Sequence, residues 1–344
     1  MKVALITGRE RLELLEFDTP VAHPSGVVVD IAYCGICGTD VASYRTGHLH
    51  SPAVCGHEWM GTIRTVGAQV EAVREGDRVV IGVAPACGRC EPCLTGKPET
   101  CQTVELQFRG RDQLAPPHGG FARAIAVQAD RVLPAHPGLT DEDAAQVEPT
   151  AIAYRAVKYS GIGLGDVAVV QGAGPIGLLT LQLARAAGAT TVVVVEPSEH
   201  RRAKALGLGA HHAVAPGELA RTMVNDLTNG LGADVVFECA GLAPLVQTAV
   251  DFTRRGGVMA MLGYVAGEAS VDIASWISKN IRVVASVGFA REDLHHTMSL
   301  IADGRVKVSP LHTRTIGLSE LDAVFADLAA GRADDTKVLV DPRR

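Results

Sequence analysis

Val167-Ala-Val-Val-Gln-Gly172-Ala-Gly174-Pro175-Ile176-Gly177 reads without a break as a strand, a Gly-x-Gly-x-x-Gly turn and the start of a helix. Gly172 permits the tight turn. Gly174 lets a pyrophosphate come close to the backbone, and Gly177 lets the helix pack closely on its strand. The phosphates then lie at the helix N-terminus, where Pro175 and Ile176 complete the cofactor-binding turn. The motif alone is weak evidence; its surroundings strengthen it. The next apolar stretch, Thr191 to Glu196, ends on an acid nineteen residues after Gly177. An acid there accepts hydrogen bonds from the adenosine ribose hydroxyl and repels a 2′-phosphate, which favours NAD over NADP. Arg201, five residues on, lies on the adenine side, or gives partial tolerance of a phosphate, or is a solvated helix residue; the sequence leaves these open.

Working outward, strands and helices alternate from about Glu148 to Gly288, the signature of a doubly wound parallel sheet covered by helices. The expected strands are Val167 to Gln171, Thr191 to Glu196, Asp234 to Cys239, Gly257 to Leu262 and Arg282 to Val287. Helical patterns lie between them at Pro175 to Ala187, Glu199 to Leu206, Leu219 to Thr228 and Leu245 to Arg254. The first 125 residues differ: short apolar stretches broken by glycine, such as Val27 to Tyr33, Gly61 to Val66 and Asp77 to Ile81, predict an irregular β-rich unit with no helix of length. After Gly288 come two amphipathic helices, Glu292 to Asp303 and Ser319 to Ala330, and a last strand, Lys337 to Val340, which are expected to pack back on the first unit. The predicted domains are therefore 1–152 with 289–344, and 153–288.

The chain of 344 residues is long enough for two cores. Its formal charge of -6 and the lack of basic runs argue against nucleic acid. Apolar runs such as Val192 to Val195 are far too short to cross a bilayer, and the N-terminal stretch MKVALITGRERLELLEF carries charges where an export signal needs an apolar run. The expectation is a cytoplasmic protein with small-molecule partners, no nucleic acid and no membrane.

Cys87, Cys90, Cys93 and Cys101 fall within fifteen residues at spacing Cys-x2-Cys-x2-Cys-x7-Cys. Kinked connections at Gly88, Pro92 and Gly96 to Pro98 allow the loop 87–101 to wrap one ion, and four soft thiolates complete the tetrahedral shell of a structural zinc. Two disulfides are the other reading, and they need an oxidising compartment. A second constellation is Cys37, inside Cys34-Gly-Ile-Cys37-Gly-Thr39-Asp40, followed twenty residues later by Gly56-His57-Glu58. Cysteine, histidine and glutamate offer sulfur, nitrogen and oxygen donors to a second zinc. The bland readings are a hydrogen-bonded core histidine, a solvated Glu58, and a redox Cys34/Cys37 pair. Glu148, in Gln-Val-Glu148-Pro-Thr-Ala, is an acid among apolar residues, and a carboxylate in such surroundings needs a cation or a proton.

Together, GICGTD at 35–40, GHE at 56–58, the four-cysteine lobe, Glu148-Pro149, GAGPIG and Glu196 resemble the zinc-dependent medium-chain alcohol and polyol dehydrogenases, which include sorbitol, threonine and butanediol dehydrogenases. The resemblance covers essentially the whole chain. It implies a GroES-like catalytic domain joined to a Rossmann domain, two zinc ions per chain, NAD, and a homodimer or homotetramer. It implies that Cys37, His57 and Glu148 hold the catalytic zinc, with Glu58 in or just beyond the coordination shell. Another branch of the family has cysteine at the third ligand position, so Glu148 sets this chain nearer the polyol and threonine enzymes. The implied reaction moves a hydride between a secondary alcohol and nicotinamide, interconverting the alcohol (polyol, sugar, cyclitol, amino alcohol or diol) with its ketone; zinc lowers the pKa of the hydroxyl. Thr39 matches the family's relay hydroxyl, its other reading being a turn threonine, and Asp40 is expected to orient His57.

One departure is Ala42, where many relatives carry the histidine that ends the proton path; His48 and His50 lie near in sequence as replacements or as exposed loop residues. Cys34, Cys55 and Cys239 read as small buried apolar residues. Substrate-pocket candidates are Tyr44, Trp59, Phe108, Trp276 and Phe289. Two rival readings share the fold: a zinc-free quinone or enoyl-type reductase, and a non-catalytic nucleotide-binding structural protein. Both metal sets and the intact ligand pattern disfavour them.

Overall fold

Val167–Gln171 is a strand and Pro175–Ala186 a helix in the computed structural model, which describes residues 1–82, 87–97, 100–103, 106, 111, 115–265 and 267–344. Call the strand β8; with β9 (Thr191–Val195), β10 (His212–Val214), β11 (Ala233–Glu238), β12 (Thr253–Met261) and β13 (Arg282–Ala285) it forms a parallel sheet in the order β10-β9-β8-β11-β12-β13. The central strands are valine-rich runs, as expected where both faces are covered: Val169, Val170, Val192, Val193, Val194, Val235 and Val236 are all buried. Chain order reverses between β8 and β11. In a sheet of this kind the crevice beyond the carboxyl ends of those two strands is where a ligand binds, and Gly172 and Gly241 turn the chain there.

The other body is built around β3 (Gly26–Gly35). It pairs antiparallel with β4 (Glu58–Val66) on one side, and with β6 (Ala124–Gln128) and then β15 (Lys337–Val340) on the other. The sheet continues through β5 (Arg78–Ile81) and β7 (Val132–Pro134) from β4, and through β14 (His312–Ile316) from β15. Alternation on β3 sends Val27, Val29 and Ile31 into a core with Trp59, Ile63, Phe121 and Phe325. Phe121 meets Phe325 edge-on at 6.0 Å, so the C-terminal helix Leu321–Ala329 is fastened to this body by an aromatic contact. A hairpin of β1 (Lys2–Gly8) and β2 (Arg11–Glu16) completes it.

The chain divides into two compact units: 1–148 with 290–302 and 312–344, and 149–289 with 303–311. Segment 303–311 returns to the second unit because the Gln182 amide clasps the backbone of Lys307 from both sides. Its Nε2 donates to the Lys307 carbonyl at 3.1 Å and its Oε1 accepts from the Lys307 N–H at 2.7 Å.

Two of the helices that the sequence pattern did not show bear on the site. Gly38–Thr46 has almost no apolar periodicity, so its identity as a helix rests on its ends: Cys37 as N-cap with Asp40 reaching back to the Cys37 N–H, and Gly47 in the left-handed conformation as C-cap. Val147–Ser160, fourteen residues, carries Pro149 near its start, which is where proline is compatible with a helix. Among the described residues no helix is long and apolar enough to cross a membrane.

Candidate active site

Cys37 stands at the N-terminus of the helix Gly38–Thr46, where the helix dipole favours negative charge. The Thr39 hydroxyl donates to its Sγ at 3.2 Å. Gly56 has φ 71°, and a Cβ there would meet the Phe121 ring at 2.8 Å, so only glycine lets the chain turn against the core and deliver His57. The His57 Nδ1 lies 2.9 Å from the Val54 carbonyl oxygen, which commits that nitrogen as donor and leaves Nε2 free to ligate. Asp40 was expected to fix this tautomer. Its Oδ1 stands 3.8 Å from Nδ1, beyond hydrogen-bond distance. The buried Asp40 instead accepts the N–H groups of Cys37 and Gly56, each at 3.3 Å, and so ties together the two loops that carry the ligands.

A donor atom each of Cys37, His57 and Glu58 lies within 4.8 Å of the other two. Glu148 stands outside that trio but belongs to the same electrostatic unit. Burial raises its pKa to about 7; the neighbouring Glu58 and Asp40 add to the rise, while His57 and Lys337 oppose it. Burial works against a charged His57, yet the charges of Cys37, Asp40 and Glu148 carry its pKa well above the ordinary value. Acids outnumber bases in this buried cluster, which a dication with sulfur, nitrogen and oxygen donors around it would balance. The residues therefore fit a zinc ion.

The second metal set also fits. The Sγ atoms of Cys87, Cys90, Cys93 and Cys101 lie within 4.8 Å of one another, with Cys90 3.4 Å from Cys93 and 3.8 Å from Cys101. A tetrahedral shell with Zn–S of about 2.3 Å has S···S edges of about 3.8 Å. All eight cysteines are free thiols. Backbone N–H groups of Arg89 and Cys90 pull the Cys87 thiol down to about 5, whereas burial and the Cys90 sulfur push Cys93 up to about 12. Four crowded sulfurs cannot all ionise unaided, and a cation among them removes the conflict. Pro98 of this lobe and the pocket candidate Phe108 lie outside the described residues.

In the nucleotide-binding unit the three glycines differ in what surrounds them. Gly172 has φ 95° with Ala240 atoms 3.1 to 3.3 Å from an added Cβ, and a Cβ on Gly177 would overlap the Gly172 carbonyl, whose carbon would be 2.9 Å away. Nothing lies within 4 Å of a Cβ on Gly174. Open space at Gly174, at the N-terminus of the helix begun by Pro175 and Ile176, is where a pyrophosphate fits. Glu196 is buried, with Oε2 accepting from the Ala173 N–H at 2.8 Å and Oε1 from the Ser198 N–H at 3.0 Å. Each oxygen keeps a lone pair for a ribose hydroxyl. At this edge Arg202 Nη1 donates to the carbonyls of Glu196 and Pro197. The Arg201 backbone N–H donates to Ser198 Oγ.

Several sequence candidates are placed elsewhere. Tyr44 and Trp59 are buried core residues, Tyr44 packing on Phe325. Trp276 donates to Gln247, in the second unit. His48 and His50 are exposed. Cys34 and Cys55 are buried, and Cys239 faces Thr180. Lys337 was missed: its ammonium is ion-paired with Glu58, 279 positions away, and no local pattern announces such a partner.

Residues 23–137 match the model of the alcohol dehydrogenase GroES-like domain, and residues 175–303 that of the zinc-binding dehydrogenases. A probable D-xylulose reductase A of Aspergillus terreus is 32% identical over 93% of this chain and 93% of its own length. A sorbitol dehydrogenase of Halalkalibacterium halodurans is 32% identical over 98% and 96%. A crystal structure from Sinorhizobium meliloti, described as a zinc-binding dehydrogenase bound to NADP, superposes with a TM-score of 0.86 at 30% identity, covering 99% of both chains. With both domains matched in order and relatives aligned along the full length, the chain belongs to the zinc-type medium-chain polyol dehydrogenase family and is an oxidoreductase of that type.

Proposed function

We propose that this enzyme interconverts a secondary alcohol of a polyol, sugar, cyclitol, amino alcohol or diol and the corresponding ketone, using one catalytic zinc ion and NAD, with a second zinc as structural staple. The observation that carries the proposal is the convergence of Cys37, His57 and Glu58 donors within 4.8 Å in a buried cluster rich in acids. When bound, zinc supplies a Lewis acid that lowers the pKa of a hydroxyl, and nicotinamide supplies the hydride acceptor. Cys37 and His57 bind the ion, with Glu148 and Glu58 as the carboxylates available to it. Val54 keeps His57 in the ligating tautomer, and Asp40 holds the Cys37 and Gly56 backbones at fixed spacing. Thr39, whose hydroxyl already touches Cys37 Sγ, is the group placed to take and pass on the alcohol proton. Ala42 offers no base beyond it, so the proton leaves through solvent.

On the cofactor side, the N–H groups around Gly174 receive the pyrophosphate and Glu196 receives the ribose hydroxyls, which selects NAD. The first unit is proposed as the catalytic domain and the second as the NAD-binding domain, which refines the expected bounds of 1–152 with 289–344 and 153–288 by giving 149–152, 289 and 303–311 to the second. Eight free thiols suit a reducing compartment, and the cytoplasm is proposed as its place, with a homodimer or homotetramer as the assembly. The test combines metal analysis with assays of polyols, amino alcohols and diols against NAD and NADP in parallel. Two zinc ions with NAD-linked turnover support the proposal. Turnover without zinc favours a reductase of the quinone or enoyl type, and nucleotide affinity without turnover favours a binding protein.

A further inference from the structure

Gln171 ends β8 and Glu238 ends β11, the two strands between which the chain order reverses. They are register partners, so their side chains stand side by side on one face of the sheet, and both are buried: Gln171 is 1% exposed and Glu238 0%. Three polar atoms of this pair, both amide atoms of Gln171 and Oε2 of Glu238, have no hydrogen-bond partner among the described residues. Orphaned buried groups cost stability, and a fold keeps several at one spot where something other than stability requires them. The oxygen of the pair that is used shows what that is. Glu238 Oε1 accepts from the N–H groups of Ala240 at 3.0 Å and Gly241 at 2.9 Å, so the side chain folds forward over its own backbone and shapes the loop that leaves β11. Further contacts fix where that loop lies. The Leu262 and Gly263 N–H groups both donate to the Glu238 carbonyl at 2.9 Å, and a Cβ on Gly263 would overlap the Gly241 nitrogen and lie 2.6 Å from Glu238 Oε2. On the other side Ala240 stands against the phosphate turn, its Cβ 3.1 Å from a Cβ added to Gly172.

We propose that Glu238 is a positioning residue for the dinucleotide: by holding the loop 239–242 through Oε1 it sets Ala240 against the phosphate turn and so forms the second wall of the crevice in which the cofactor lies. This rests on the nucleotide reading of the preceding subsections. Being wholly buried, Glu238 touches nothing in the crevice and acts through the loop alone. What the loop needs is an acceptor at the reach of a glutamate side chain, and the charge is incidental. Burial raises the Glu238 pKa against the pull of the N–H groups of Gly241, Ala240 and Leu242, so the ionised form is a burden at this position. Glutamine keeps the acceptor, removes the charge and offers an N–H donor in place of the orphaned Oε2. Leucine keeps the bulk and leaves the two N–H groups without their acceptor.

The experiment measures NADH affinity by fluorescence titration, KM for NAD and kcat, each well below the melting temperature of the variant. Glu238→Leu should bind NADH about 10- to 100-fold more weakly and raise KM for NAD by a similar factor, with kcat at saturating NAD within about threefold of wild type. Glu238→Gln should restore affinity and KM to within about threefold of wild type, with a melting temperature no lower. A role in stability alone leaves the affinity of the folded protein unchanged, so wild-type NADH affinity in folded Glu238→Leu overturns the proposal. So does Glu238→Gln if it is weakened as much as Glu238→Leu, since the charge and not the acceptor would then be at work. Should Glu238→Leu not fold, Glu238→Asp takes its place. One methylene shorter, its carboxylate falls short of the Gly241 N–H, and affinity should drop by about fivefold or more; unchanged affinity overturns the proposal. A wild-type protein that binds no NADH overturns the nucleotide site itself, and this inference with it.

Discussion

Replacing Gly174 by alanine adds one methyl group at a point with no atom within 4 Å, whereas the same change at Gly177 drives the methyl into the Gly172 carbonyl. The two substitutions separate binding from folding within six residues. For Gly174→Ala, reduced freedom of the unfolded chain stabilises by about 0.4–1 kcal/mol. Gly174 is also the N-cap of the helix Pro175–Ala186, and alanine is a poorer cap by roughly 0.5–1 kcal/mol. These offset, so the melting temperature should move by less than about 3 °C. A pyrophosphate approaching the backbone there meets the methyl and gives up one or two charge-assisted hydrogen bonds, each worth about 1.5–3 kcal/mol. Affinity for NADH, read by fluorescence titration, should fall about 10- to 100-fold. Gly177→Ala should instead lose about 1–3 kcal/mol of stability or more, seen as a lower melting temperature before any cofactor is added. If Gly174→Ala binds NADH like the wild type, the pyrophosphate does not cross at this glycine and the assignment of the turn is refuted.

Glu196→Gln should raise the ratio of kcat/KM for NADP over NAD by about two orders of magnitude, since a carboxylate and a phosphate charge about 5 Å apart repel by about 3 kcal/mol at an effective dielectric of 20; an unchanged ratio removes Glu196 from cofactor selection. Cys93→Ser should lose one zinc and melt at a lower temperature, because a structural zinc contributes its binding energy to folding. A folded variant of unchanged melting temperature contradicts the staple. The metal-free protein should become less stable as pH rises from about 4.5 to about 7. Glu148 has its folded pKa raised to about 7, so the folded state binds the extra proton across that window and loses up to about 3 kcal/mol as the proton leaves. His57, raised likewise, loses stability as pH climbs through its folded value. Zinc affinity runs the opposite way, improving with pH as the ligands lose their protons. Melting temperatures of chelator-treated protein between pH 5 and 8 test this, and a rise across the range is the contrary result.

The first strand, turn and helix of the nucleotide-binding unit were legible in the sequence almost to the residue, while the short edge strand His212–Val214 and the helix Ile273–Lys279 were not. Val167–Gln171 has the predicted bounds and Pro175–Ala186 ends one residue early, because buried parallel strands and their covering helices write their periodicity locally. Metal donors were legible as residue types at recognisable spacings. What escaped was set by distant partners or by backbone geometry. The helix Gly38–Thr46 is specified by caps rather than by an apolar stripe. The His57 tautomer is fixed by the carbonyl of Val54, and every residue has a carbonyl, so its sequence carried no signal. Tyr44 and Trp59 pass in sequence for pocket residues but fill the core once β3, β4 and the helix Leu321–Ala329 come together. Lys337 gains its partner only when β15 lies against β3, a pairing across some three hundred residues. Arg202 gave no signal of its own in the sequence, yet from the helix it reaches back to the strand end.

The central claim is that a metal ion held by Cys37, His57 and a carboxylate carries the reaction. Its most direct test follows turnover and zinc content in one preparation during graded chelation that spares the tetrathiolate ion. Activity should fall in proportion to the first zinc lost and return when zinc is restored. Full turnover with that ion gone and the tetrathiolate ion in place would contradict the account.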